Sequence, residues 1–221
     1  MKRFLLIVPL LAILFSGPAA GQQERWAVVD VSSCFLRQKP DYESPLESQC
    51  LMGTVLKVGS ADRYWRQVDA PDYKGCWTNQ LAIAFMTDKE KDAFIAAPKL
   101  ICLSEYSHIY ASPSTYGGRI CDFTMGCVVR RATAGQEENV PGWERVLTAS
   151  GHEGWVLKYD VADFTGWAES KKAAVDEAQQ KMDYSELQEN IVGMAESLAG
   201  TPYMWGGSSI KYFDCSGLTK F

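Results

Sequence analysis

Near its end the 221-residue sequence reads Phe213-Asp214-Cys215-Ser216-Gly217-Leu218, and a few residues before that Gly200-Thr201-Pro202-Tyr203-Met204-Trp205-Gly206-Gly207. A cysteine that attacks an amide must be a thiolate, and a place at the first turn of a helix favours that form through the unpaired backbone N–H groups there. Gly217 leaves room at such a turn, Leu218 begins an apolar helix face, and a backbone N–H beside Cys215 is suited to stabilise an oxyanion. Gly206 and Gly207 read as a tight turn and not as a phosphate cradle. Trp205 reads as a core aromatic. A cysteine nucleophile also needs a base, usually a histidine oriented by a third polar group. The two histidines of the sequence, His108 and His152, stand far upstream and read as surface or turn residues, His152 in a hairpin turn. With no C-x-x-C pair and no histidine cluster, neither a metal site nor a cofactor is expected.

The elements that must position this cysteine come next. Ser185 and Gln188 read as a capping box, and Leu187, Ile191, Met194, Ala195 and Leu198 follow helical spacing behind it. Gly200 stops that helix and Pro202 keeps it stopped. From Ser185 to Phe221 there is one helix, the start of another and no strand on which to bury Leu187, Ile191 and Met194, so this stretch cannot make its own core. Upstream, a weak repeat stands out. Met52-Gly53-Thr54-Val55-Leu56-Lys57-Val58 returns as Met125-Gly126-Cys127-Val128-Val129-Arg130-Arg131. Each copy is followed by an aromatic strand and a glycine turn, Tyr64-Trp65-Arg66-Gln67-Val68 with Lys74-Gly75-Cys76-Trp77, and Gly142-Trp143-Glu144-Arg145-Val146 with Glu153-Gly154-Trp155-Val156. Short alternating strands separated by turn formers predict two small β barrels or sandwiches, over 24–86 and 98–164. A helical connector opening on Thr87 fills 87–97, and a second, solvated one over Glu169–Lys181 lies within a linker at 165–183.

The helix, the Pro202-Tyr203-Met204-Trp205-Gly206-Gly207 stretch and the Asp214-Cys215-Ser216-Gly217 turn, in this order and spacing, resemble the NlpC/P60 family of cell-wall cysteine peptidases. The paired β modules resemble the bacterial SH3-type repeats that accompany that peptidase domain. The resemblance implies a mainly β chain with an α+β end: two small SH3-like barrels, then the start of a papain-like peptidase domain over 184–221. It implies that Cys215 is the nucleophile and that Tyr203 positions the substrate or the oxyanion. It further implies that Asp214 and Ser216 contact the free amino end of a peptide, an acidic group beside an ammonium. The family places its histidine well after the cysteine, so the domain is expected to be incomplete at Phe221 and the 221-residue chain inactive by itself.

Lys2 and Arg3, the apolar run Phe4 to Phe15 and the small residues from Ser16 to Gly21 have the layout of a secretory signal peptide over 1–21, with cleavage near Ala20 or Gly21. The apolar run is too short to span a bilayer, which needs about 20 residues. The product is expected to be periplasmic or extracellular, with no membrane span after cleavage. The net charge of −5 becomes more negative once Lys2 and Arg3 leave, which argues against a nucleic-acid partner. Seven cysteines, at 34, 50, 76, 102, 121, 127 and 215, leave at least one thiol unpaired, and six of them allow 15 pairings. Oligomeric state is not legible. The expected function is hydrolysis of peptidoglycan stem peptides in cell-wall turnover or recycling, at the γ-D-glutamyl–L-diamino-acid bond. The alternatives are an SH3-like protein that binds wall peptides without cutting them, and a gene fragment.

Overall fold

The computed structural model describes residues 25–132 and 140–221. The export signal read in residues 1–21 lies outside them.

The first half of the chain makes seven short strands: β1 (Trp26–Val29), β2 (Ser33–Arg37), β3 (Leu46–Leu51), β4 (Val55–Asp62), β5 (Trp65–Asp69), β6 (Cys76–Asn79) and β7 (Ile83–Met86). They form one antiparallel sheet in the order β3-β2-β6-β5-β4-β1-β7. Alternation sets the inner face, as in β2, where Cys34 and Leu36 are buried and Phe35 is exposed. Ala27, Val29, Leu56 and Val68 complete that core.

The second half repeats the plan with β8 (Lys99–Cys102), β9 (Tyr106–Tyr110), β10 (Arg119–Thr124), β11 (Val128–Arg131), β12 (Trp143–Leu147), β13 (Glu153–Leu157) and β14 (Val161–Asp163). Its order, β10-β9-β13-β12-β11-β8-β14, matches the first sheet strand for strand. Leu100, Ile109, Phe123, Val129, Val146 and Val156 fill its core.

The repeated Met-Gly turns explain how the copies pack. Gly53 and Gly126 both lie in the left-handed region, at φ +90° and +82°. They also meet the other copy: a Cβ on Gly53 would lie 2.5 Å from the Val128 carbonyl oxygen, and one on Gly126 would lie 2.7 Å from Leu51. The Val128 N–H donates to the Met52 carbonyl at 2.9 Å. Met52, a residue of the first copy, is buried in the core of the second. The connecting helix α1 (Asp88–Ala96) starts at Thr87 with a capping box to Glu90 and drives Phe94 between the sheets, against Val28 and Met86.

Helix α2 (Phe164–Lys181) begins five residues before the expected connector, because Asp163 caps it directly from β14 by accepting the Gly166 N–H at 2.9 Å. Helix α3 (Ser185–Ser197) forms where the apolar spacing predicts, but the capping box read at Ser185 and Gln188 is absent. Asp183 takes both the Ser185 N–H, at 3.0 Å, and its hydroxyl, at 2.8 Å. A carboxylate is the stronger local acceptor, so it displaces the serine from the capping position, which falls to Tyr184. No residue of α3 is buried. The chain closes with a hairpin, β15 (Ser208–Ser209) and β16 (Tyr212–Phe213), and a short helix α4 (Cys215–Lys220).

Candidate functional site

Asp214 is extended and caps α4, which puts Cys215 at the first helical position with its side chain exposed. One carboxylate oxygen of Asp214 accepts the Gly217 N–H and the Ser216 hydroxyl, both at 2.7 Å; the other accepts the Gly206 N–H at 2.8 Å. These donors, the Gly217 N–H foremost and the Ser216 hydroxyl next, hold the Asp214 carboxyl below the usual range. Asp214 thus ties the residues that follow the thiol to the turn at Gly206.

The stretch before the hairpin wraps it closely. The Met204 N–H donates to the Phe213 carbonyl at 3.1 Å, the Phe213 N–H to Pro202 at 3.2 Å and the Asp214 N–H to Gly207 at 3.0 Å. A Cβ on Gly217 would stand 1.8 Å from the Gly207 carbonyl oxygen, so glycine is required there by contact. Gly206, at φ +74°, makes the tight turn expected of it.

Tyr203 bridges to Phe213 and is 68% exposed, on the same wrap as the hairpin that leads into Cys215. Trp205, expected in the core, is 69% exposed: the turn at Gly206, and not the Trp205 ring, is what packs against Leu46 and Glu47. The structure therefore brings Cys215, Asp214, Ser216 and Tyr203 together around one hairpin. Ser216 spends its hydroxyl proton on Asp214.

Both histidines lie in the second copy. His108 lies on β9 with Nε2 3.6 Å from Asp122, and His152 shares a hydrogen bond with the Ser150 hydroxyl in the β12–β13 turn. Among the described residues no group of three His, Cys, Asp or Glu could hold a metal, and no helix is long and apolar enough to cross a membrane.

The thiols divide into two kinds. All seven are free. Burial pushes Cys34 up to about 11 and Cys50, Cys102 and Cys121 up to about 12, and it raises Cys76 and Cys127 as well. Cys215 alone is exposed.

Sequence reasoning did not find the residues that seat the hairpin. Gln49 of β3 accepts the Ser208 N–H at 2.9 Å through its side chain and the Ser208 hydroxyl at 3.2 Å through its carbonyl. Lys211 donates to the Ser32 hydroxyl at 3.0 Å and to Asp122 at 2.8 Å. Lys220 pairs with Asp72 at 2.6 Å and lies over the Tyr73 ring. Ile210, Phe213 and Phe221 pack with Leu198 and Met125, so the hairpin rests on the seam between the two copies. Behind α4 that seam opens into a cavity of about 670 Å³, lined by Met52, Met125, Phe164, Trp167 and Phe221 among others and by none of Tyr203, Asp214, Cys215 or Ser216.

No family model matches the chain. A curated protein from Lysinibacillus sphaericus, dipeptidyl-peptidase 6, is 24% identical over 195 residues, which are 87% of this chain and 66% of that protein, so the chain spans just under two thirds of it. A solved NlpC/P60 family protein from Bacillus cereus superposes with a TM-score of 0.62 at 18% identity, over 88% of this chain and 70% of that one. An NlpC/P60 endopeptidase from Photobacterium damselae subsp. piscicida gives 0.56 at 13% identity, over 91% and 43%. Two antiparallel sheets followed by a helix-borne cysteine hairpin are therefore the fold of a chain whose structural neighbours are NlpC/P60 proteins.

Proposed function

We propose that the chain carries the nucleophile of a peptidoglycan stem-peptide hydrolase, a cysteine peptidase acting at the γ-D-glutamyl–L-diamino-acid bond in cell-wall turnover or recycling. The observation that carries this reading is Cys215, an exposed thiol at the head of α4, in a chain whose six other thiols are mostly buried and held protonated. In this mechanism the Cys215 sulfur attacks the scissile carbonyl. The amine leaves with a proton delivered by an imidazole, and water, deprotonated by the same imidazole, releases the acid product from the thioester. Tyr203 positions substrate or oxyanion. Asp214 fixes the turn through three donors, and the oxygen bonded only to Gly206 is the one open to a peptide ammonium. The protein is exported in this reading, and its two β modules are SH3-type domains that present the wall peptide.

In this reading the imidazole is neither His108, which pairs with Asp122 on β9's neighbour β10, nor His152, which bonds Ser150 in the β12–β13 turn, because neither is hydrogen-bonded to Cys215. The test is therefore run on a form extended past Phe221 by histidine-bearing sequence. Incubated with purified muropeptides under reducing conditions, it releases new amino termini, and iodoacetamide or Cys215→Ala abolishes the release. Absence of thiol-dependent cleavage by that form sinks the reading.

A further inference from the structure

Strand pairing matches the two copies residue by residue. Gln49 stands opposite Phe35 on β2, and Asp122 stands opposite His108 on β9. Each lies four residues before the left-handed glycine of its copy, Gly53 or Gly126. Gln49 and Asp122 are thus the same position in the two modules, and both grip the one hairpin that precedes Cys215. Gln49 holds β15 at Ser208, and Asp122 holds the turn at Lys211. Lys211 reaches both copies, since its ammonium also donates to Ser32 of the first, whose carbonyl in turn accepts the Cys127 thiol of the second at 3.2 Å. Next to it, Ile210 is buried against Met125.

We propose that Lys211 is a positioning residue for Cys215: by bonding Ser32 and Asp122 together it locks the nucleophile hairpin to the pseudo-symmetric seam, so that the packing of the two modules sets the placement of the thiol. Three features support it. The turn at Ile210 and Lys211 is two residues long, and Asp214 follows β16 directly, so displacement of the turn passes to the α4 cap with little slack. Asp122 is held ionised chiefly by the hydrogen bond from Lys211, with His108 and Arg119 adding lesser attraction. Neither module needs Lys211 for its own sheet, because its bonds run from the hairpin to the modules.

The kinetic consequence rests on the peptidase reading, but the deciding experiment does not. Amide hydrogen exchange on the 221-residue chain, followed by mass spectrometry, reads residues 204–217 separately from the two sheets. Lys211→Met should speed exchange in 204–217 about tenfold or more while both sheets keep wild-type protection. Lys211→Arg should restore protection to within about threefold, since it keeps the charge and the donors. Asp122→Asn should match Lys211→Met, and the double variant should be no faster than either single one. Unchanged exchange at 204–217 in Lys211→Met, additive effects in the double variant, or faster exchange spread evenly over the sheets would each overturn the proposal. In an extended form that cleaves muropeptides, Lys211→Met should lower kcat with KM within about twofold. A failure of that form to cleave leaves the exchange result standing.

Discussion

Cys215 differs from the other thiols in what surrounds it. Cys34 and Cys50 face each other across β2 and β3 inside the first core, and Cys102 and Cys127 lie inside the second. Their burial penalises the thiolate, so alkylation by iodoacetamide at neutral pH, in native buffer and read by peptide mapping, is expected to modify Cys215 at least about tenfold faster than any of them. Unfolding the chain first should abolish the difference. Asp214 provides a pH-dependent counterpart. Its carboxyl is lowered in the folded state, so its contribution is fully present above the ordinary aspartate value, near 3.9, and is lost as pH falls through the depressed folded value. Loosening of residues 204–217 in acid, below about pH 4, is the expected result in hydrogen exchange, and Asp214→Asn should shift it because the amide does not titrate. What the sequence made legible at this scale was local: Asp214, Cys215 and Gly217 bond within a few residues of one another. Gln49 and Asp122 escaped it because their partners Ser208 and Lys211 lie 159 and 89 residues away, a pairing that exists only once both sheets have formed.

Among the elements, α3 shows most clearly where pattern and burial part company. Its apolar spacing is real, yet Ile191 is 69% exposed and Met194 nearly half exposed. Periodicity announces a face made to be covered and is silent on whether a neighbour covers it. Ile191→Glu is therefore expected to change the stability of the 221-residue chain by less than about 0.5 kcal/mol in urea unfolding, the size of an ordinary surface substitution. A loss of about 2 kcal/mol or more, as for a buried apolar side chain, would mean that the face is covered in solution. The missed cap at Ser185 and the early start of α2 share a cause. In both, an aspartate just upstream, Asp183 or Asp163, offers a stronger acceptor than the residue from which the pattern began.

At the scale of the whole molecule, the duplication was legible in outline, as two runs of short strands sharing a Met-Gly turn. The packing of the copies on each other was not, because Met52 looks like any residue of its own turn until it is seen inside the other core. Met52→Ala should cost about 2–5 kcal/mol, and because a residue of the first copy packs in the core of the second, fluorescence and far-UV circular dichroism should report a single shared transition that shifts together.

The identical strand order has a further consequence for how the chain avoids misfolding. Two neighbouring modules of one topology on one polypeptide can exchange equivalent strands while they fold, a characteristic failure of tandem repeats. Here the exchange is penalised by shape. The matched strands β1 and β8 place Ala27 where the other copy has Leu100, and their partners place Leu56 where the other has Val129. The pair Cys34 and Cys50 in one core is Ser107 and Phe123 in the other. Each module divides its interior volume differently between facing strands, so a borrowed strand leaves a void in one core and a clash in the other. Divergence of the two copies thus acts as a proofreading device, by which each strand is matched only to its own sheet.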